Sequence, residues 1–180
     1  MVEGTEPSPG IRVAELGAGT GRITAEIARW LPADGLALAI DIDQVFVTEL
    51  TDRWPRVEAV SARAEHLVDL LRARGLGPLD HIFSGLPFAS LPMATTQRIL
   101  YAVFRSLREG GTFTTFQYVH AWRFPSATRF RRAATRRLGA PPTYQFVGAN
   151  VPPAIVLRWR KAVEDSDTAA RSGRAEIERP

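Results

Sequence analysis

The chain has 180 residues, 45% hydrophobic and 23% charged, a balance that suits one domain with a single core and excludes disorder over most of its length. It has no cysteine, which rules out disulfides, thiol catalysis, iron–sulfur clusters and cysteine-ligated zinc; His66, His81 and His120 are too scattered for a metal site, so no metal is expected. The net charge of +4 hides a segregation: residues 1–109 carry 11 basic and 14 acidic side chains, residues 110–163 nine basic and none acidic, and residues 164–180 three and five. The middle block presents a field of one sign, suited to an anionic partner such as a phospholipid surface or nucleic acid.

Residues 1–10 carry turn formers without an apolar period and are predicted as a loose, disordered leader. Residues 11–16 (IRVAEL) form a short strand that runs into Gly17, Gly19 and Gly21. Ile23, Ile27, Trp30 and Leu31 then mark one face of a helix stopped by Pro32 and Gly35. Residues 36–41 (LALAID) are apolar on both parities, as expected of a strand buried on both faces of a parallel sheet. A helix over 44–54, a strand over 57–60, a helix over 66–74 and a strand over 81–84 follow. Ile99 to Leu107 marks a further helix, ended by Gly110 and Gly111, and residues 112–118 alternate as a fifth strand. Ser126 is the expected N-cap of a basic helix through Leu138, with Gly139 at its end. Strands over 144–149 and 155–160, joined by a short proline-containing segment, read as a hairpin. The alternation predicts an α/β fold: a Rossmann-like, seven-stranded, mostly parallel sheet with an antiparallel last strand and helices on both faces. Residues 162–180 read as a disordered polar tail.

Glu15-x-Gly17-x-Gly19-x-Gly21 sits where a strand hands over to a helix, the ligand-binding edge of a doubly wound sheet. A dinucleotide fingerprint would place its last glycine at position 22, which is Arg22. The pattern instead resembles motif I of the class I S-adenosylmethionine-dependent methyltransferases, whose cofactor has a zwitterionic end and a sulfonium cation rather than a pyrophosphate. Asp41 ends the neighbouring strand, where its carboxylate can accept both ribose hydroxyls.

Residues 81–92 (HIFSGLPFASLP), Phe116-Gln117-Tyr118 and residues 150–154 (NVPPA) together look like the bacterial phospholipid N-methyltransferases, which resemble the ribosomal RNA adenine dimethyltransferases in their cofactor motifs. The likeness spans about residues 12–160 and makes residues 11–161 a methyltransferase domain. It implies stepwise methylation of phosphatidylethanolamine, or a lipid like it, by a cytoplasmic protein peripherally attached to the inner face of the membrane. By the same likeness, Glu15, Gly17, Ala18, Gly19, Thr20, Gly21, Asp41, Ile42, Ala64, Glu65 and Ser84 would hold S-adenosyl-L-methionine. Gly85, Leu86, Pro87, Phe88 and Tyr118 would hold the acceptor, with Ser84 and Tyr118 as the catalytic pair: Ser84 to accept a hydrogen bond, Phe88 to offer a ring face, Tyr118 to orient the amine. His120 is a lesser candidate, as proton acceptor.

The chain departs from that family twice. Arg63 stands where an acid usually meets the adenine amino group, and only ten residues precede the first strand, where an amphipathic helix usually docks on lipid. The stretch from Trp122 through Arg129, Arg131, Arg132, Arg136 and Arg137 mixes aromatics with arginines and is the expected replacement for that docking element. Two other readings stand beside the lipid enzyme: a nucleic-acid adenine methyltransferase, since arginines serve RNA phosphates equally well, and a cofactor-binding but inactive partner protein.

Overall fold

The computed structural model describes residues 1, 2, 4–148 and 152–163. The elements run β1 (Arg12–Leu16), α1 (Arg22–Trp30), β2 (Leu36–Asp41), α2 (Gln44–Arg53), β3 (Glu58–Ser61), α3 (Leu67–Ala73), β4 (Leu79–Ser84), α4 (Met93–Ser106), β5 (Leu107–Tyr118), α5 (Pro125–Leu138), β6 (Thr143–Val147) and β7 (Ala154–Arg160). Among the described residues the strands form one seven-stranded sheet in the order β3-β2-β1-β4-β5-β7-β6. The pairs from β3 to β5 are parallel, and β7 is antiparallel to both of its neighbours. This is the Rossmann-like sheet expected from the alternation.

Each face of the sheet buries its own core. Ala14, Leu16, Leu38 and Ile40 point to the side of α3, α4 and α5, where Phe113, Phe130 and Trp159 fill the centre. Val13, Ala37 and Ala39 point the other way, with Ile27, Leu31 and Leu50 of the α1–α2 side. Period-two alternation thereby assigns every residue of β1 to a face, and Glu15 shares the face of Val13.

Four expectations are corrected. The leader is seated on the sheet: Val2 and Ile11 are buried, Trp30 Nε1 donates to the Thr5 carbonyl (3.0 Å), and Arg158 reaches back to the carbonyls of Gly4 (2.9 Å) and Met1 (3.1 Å). Apolar side chains of the leader find a place against α1, which turn-rich composition does not reveal. β5 begins at Leu107, so the Gly110–Gly111 pair lies inside a strand; the pairing slips from Leu79↔Leu107 to His81↔Thr112, and the surplus residues bulge there. The basic helix starts at Pro125, with Phe124 in the N-cap position and no side-chain cap from Ser126; the fixed φ of proline at the first turn does the nucleating. Finally, β6 is Thr143–Val147, shorter than expected. Ala149, Asn150 and Val151, part of the expected last strands and their connection, lie outside the described residues, as does the tail from 164. Among the described residues, no helix is long and apolar enough to cross a membrane.

Candidate functional site

The carboxyl ends of β1, β2, β4 and β5 frame one crevice with two lobes that meet at Gly17. The smaller lobe, about 170 Å³, is lined by Asp41, Ile42, Ala62, Ala64, Leu86 and Leu91 among others. The larger, about 440 Å³, is lined by Ala18, Gly19, Thr20, Gly85, Phe116 and Tyr118, with α1 along one side.

The turn after β1 is held open by its own backbone. Gly17 and Ala18 donate their N–H groups to the Ile40 carbonyl (2.8 and 3.2 Å), and Gly19 N donates to Asp41 Oδ2 (2.8 Å). Gly17 and Gly19 have φ of 72° and 49°, the left-handed region where a Cβ is costly. A Cβ on Gly19 would meet nothing within 4 Å, so this part of the turn faces the open crevice. Asp41 Oδ1 accepts from Asp43 N (3.0 Å), and each carboxylate oxygen retains an acceptor site for a hydroxyl. Asp41 is thus both the brace of the turn and a wall of the smaller lobe.

Other members of the motif have different jobs from those expected. Glu15 is fully buried on the α1 face, where Thr24 Oγ1 donates to its Oε2 (2.6 Å), and it lines neither lobe. Its Oε1 has no hydrogen-bond partner among the described residues. Burial above all, offset by the Thr24 bond and reinforced by Asp41 and Glu26, pushes its pKa up to about 8. Gly21 likewise turns away from the crevice: a Cβ there would lie 2.3 Å from Trp54 and 2.6 Å from Leu50. It lets α1 close on α2.

Because the folded Glu15 holds its proton to about pH 8 while the unfolded carboxyl loses it near 4.5, its contribution to stability is complete below the lower value and is lost as pH rises towards 8. Glu15→Gln removes that dependence. The melting temperature of the wild type should fall further between pH 5 and pH 8 than that of the variant. Parallel pH profiles of the two melting curves would refute the assignment.

The loop after β4 is also rearranged relative to expectation. Ser84 is fully buried; its hydroxyl donates to the Leu16 carbonyl (3.3 Å) and accepts from Leu86 N (3.2 Å), so it braces the loop and faces neither lobe. Phe88 is a core residue, stacked on Phe130 at 4.2 Å and edge-on to Phe113 at 6.1 Å. Pro87 is exposed and lines neither lobe. Gly85 and Leu86 do reach the crevice, Gly85 in the larger lobe and Leu86 in the smaller, with the Leu86 side chain set against Gly17. Period-two parity places Ser84 on the face of Ile82, but both faces of β4 are buried, so parity alone carries no signal that the hydroxyl serves as a brace.

Tyr118 lines the larger lobe beside Phe116, with the rings edge-on at 5.3 Å, and stacks on the exposed His120 at 5.6 Å. Among the lining residues not anticipated are two charged ones. Arg22 and Glu26 lie one turn apart on α1 and bring opposite charges to the same lobe. Their i, i+4 spacing directly after the glycine turn is the signal that would have found them.

The basic segment divides in two. Arg131 is structural: its guanidinium donates to Gln117 Oε1 (2.7 Å), to the Trp122 carbonyl (3.0 Å) and to Thr128 (3.1 Å), and it lies over the Trp122 ring at 4.0 Å. It is therefore withdrawn from the expected docking set. Arg129, Arg132, Arg136 and Arg137 are exposed, with Arg137 near the Tyr101 ring at 5.6 Å.

The crevice fits the cofactor that the motif implies. The smaller lobe offers a ribose acceptor in Asp41 and an apolar slot beside the exposed Ile42. The larger offers backbone and two opposite charges for a zwitterion, Arg22 and Glu26, the latter also held by the Met1 amino group at 3.1 Å. Arg63, which departs from the expected acid, turns onto Glu65 (3.0 Å), which Arg98 also approaches (3.9 Å). Desolvation raises the Glu65 pKa, but its own backbone N–H and the two arginines together hold it below the usual carboxylate range. The charge of the arginine is thereby offset within the chain, and Arg63, Ala64 and Glu65 stand together at the lobe wall.

A family model described as a methyltransferase domain matches residues 13–111. The chain is 31% identical over 145 residues to an ornithine lipid N-methyltransferase of Singulisphaera acidiphila, covering 79% of this chain and 71% of that protein. In fold it resembles a didemethyltoxoflavin N1-methyltransferase of Burkholderia thailandensis, solved with its substrate and S-adenosylhomocysteine (TM-score 0.62, 23% identity, 86% of this chain and 72% of that one). It also resembles the fibrillarin of Aeropyrum pernix, solved with natively bound S-adenosylmethionine (TM-score 0.63, 12% identity, 84% and 67%).

Proposed function

The chain belongs to the methyltransferase-domain family, whose cofactor is S-adenosylmethionine, and from that premise we propose that it methylates the amine of a membrane-lipid head group. The observation that carries this reading is the likeness to a lipid N-methyltransferase along most of both chains. The larger lobe supports it, since Phe116, Tyr118, Val147, Ala154 and Val156 give it an aromatic and aliphatic wall suited to an amine on an apolar body. Phosphatidylethanolamine and ornithine lipid both fall within this acceptor class. The protein would work peripherally, at the inner face of the membrane.

When bound, S-adenosylmethionine supplies a methyl carbon on a sulfonium, open to in-line displacement by an amine. The work of the chain is positioning and shielding. Asp41 orients the ribose side, and Arg22 and Glu26 present opposite charges to the zwitterionic end. Gly85 lets the loop after β4 lie close to the turn, and Tyr118 offers a ring face to the acceptor nitrogen as positive charge gathers there.

The test uses cofactor carrying a labelled methyl group, with vesicles containing phosphatidylethanolamine, vesicles containing ornithine lipid, and ribosomal RNA as separate acceptors. Label is expected in one or both lipids. Label in RNA alone would establish the nucleic-acid reading instead, and binding of S-adenosylhomocysteine without transfer to any acceptor would favour the inactive partner.

A further inference from the structure

Nine large hydrophobic side chains are exposed among the described residues, and five of them gather at one end of the molecule: Tyr118, Val119, Phe124, Tyr144 and Phe146. Scattered apolar residues at a surface need no explanation, but a contiguous group does. The contacts place them at the carboxyl edge of β5 and its neighbours. Tyr144 meets Trp122 edge-on at 5.8 Å, and Val119 N donates to the Pro153 carbonyl at the head of β7 (2.9 Å). Tyr144 and Phe146 share one face of the edge strand β6, paired opposite Leu157 and Ile155, so Phe146 stands one row (about 7 Å) nearer the carboxyl end of β5. Phe146 is 67% exposed, Tyr144 58% and Phe124 50%, so the two outer rings and the N-cap ring of α5 present half or more of their surface to solvent.

Two observations say what covers this patch. It adjoins the acceptor lobe at the carboxyl edge of β5: Val119 directly follows Tyr118, which lines the lobe, while on β6 Val147 faces the lobe and Phe146 the opposite side of the sheet. The segments that form the patch carry charge of one sign: residues 110–163 include no acid, and Arg123, next to Phe124, and Arg129, in the second turn of α5, are exposed, while the acid of the adjoining lobe, Glu26, belongs to α1. An aromatic rim flanked by arginines suits the interface of an anionic bilayer, where rings sit at head-group depth and guanidinium groups meet phosphates. The direction of α5 decides which arginines take part. Arg131, near its start, bonds Gln117 at the crevice end of β5, whereas Thr135 bonds Trp159 and Ala162 N bonds the Leu138 carbonyl at the opposite end of the sheet. Arg136 and Arg137 accordingly lie near the far end, against Leu100 and Phe104 of α4.

We infer that the crevice end of the molecule docks on an anionic membrane through Val119, Phe124, Tyr144 and Phe146 with Arg123 and Arg129, and that Arg136 and Arg137 take no part. This rests on the lipid acceptor proposed above and specifies how the lobe meets it: the rim places the mouth of the lobe at head-group level, so the amine reaches it without the lipid leaving the bilayer.

The experiment is co-sedimentation of the full chain with vesicles of phosphatidylcholine alone or mixed with phosphatidylglycerol. Wild-type protein should partition onto the mixed vesicles, more weakly as salt rises but without full release, since the apolar part is insensitive to salt. Phe124→Ser with Phe146→Ser should weaken partition about 100-fold, roughly tenfold for each ring. Arg123→Gln with Arg129→Gln should remove most of the salt dependence. Arg136→Gln with Arg137→Gln should bind as wild type, and all three variants should bind S-adenosylhomocysteine as wild type does, which also reports that they are folded. The inference is overturned by absence of wild-type binding to the mixed vesicles, by unchanged partition of the double phenylalanine variant, by loss in the Arg136/Arg137 variant alone, or by a wild-type dimer that the phenylalanine changes dissociate. Its failure is distinct from that of the acceptor proposal. Lipid methylated while the phenylalanine variant still partitions normally sinks the rim alone, whereas rim-dependent partition without methylation of any lipid sinks the acceptor alone.

Discussion

Asp41→Ala should weaken S-adenosylhomocysteine binding by about 100-fold or more, with the protein still folded. Two losses combine. The carboxylate that would accept the ribose hydroxyls disappears, and hydrogen bonds to a charged acceptor contribute about 1.5–3 kcal/mol each, so losing most of two exceeds the 2.7 kcal/mol that 100-fold represents. The N–H groups of Gly19 and Asp43 also lose their acceptor, so the turn after β1 keeps only the Gly17 and Ala18 bonds to Ile40 as its brace against β2. Asp41→Asn keeps one acceptor oxygen and should fall between the two. Titration calorimetry measures all three, and wild-type affinity in a folded Asp41→Ala protein would remove Asp41 from the cofactor site.

Gly85→Ala should be nearly as damaging, for a purely steric reason. A Cβ at this position would lie 2.6 Å from the Gly17 carbonyl oxygen, closer than real Cβ contacts come. The obstacle is backbone, on a turn whose neighbouring N–H groups are tied to Ile40. Neither side can yield cheaply, so the loop after β4 must lift away from the turn and strain the bond from Gly85 N to the Leu16 carbonyl (2.9 Å). A stability loss of about 1–3 kcal/mol is expected, as for other overpacked sites. Because Gly85 lines the larger lobe, cofactor affinity should fall by at least about tenfold with it. Thermal melting and the same titration check both, and an unaltered variant would mean that the two loops do not meet as closely as the structure has them.

The role of residues near the crevice was readable only where backbone chemistry demanded it. Glycines in the left-handed region and an acid at the end of the adjacent strand announce themselves, and Gly17, Gly19 and Asp41 stand in the crevice as expected. Side chains whose role depends on direction did not. Glu15, Ser84, Phe88 and Arg131 have residue types that suit a site, yet each is turned into a brace or a core contact. Parity along β1 and β4 assigns Glu15 and Ser84 to a face, but with both faces buried it does not say which side chain is a brace. Phe88 and Arg131 had no such signal, because what captures them, Phe130 for one and Gln117 with Trp122 for the other, lies on a neighbouring element at a distance along the chain.

The order of strands and helices, the glycine turn and the segregation of charge belong to the sequence alone, since hydrophobic period, backbone freedom and composition are local properties. The tertiary structure decided that the leader lies on the sheet, that Arg22 and Glu26 share a lobe with Tyr118, and that Tyr144 of β6 meets Trp122 edge-on. Each of these depends on which way a side chain points once distant strands are paired, and that direction is set by packing between elements, not by the residues beside it.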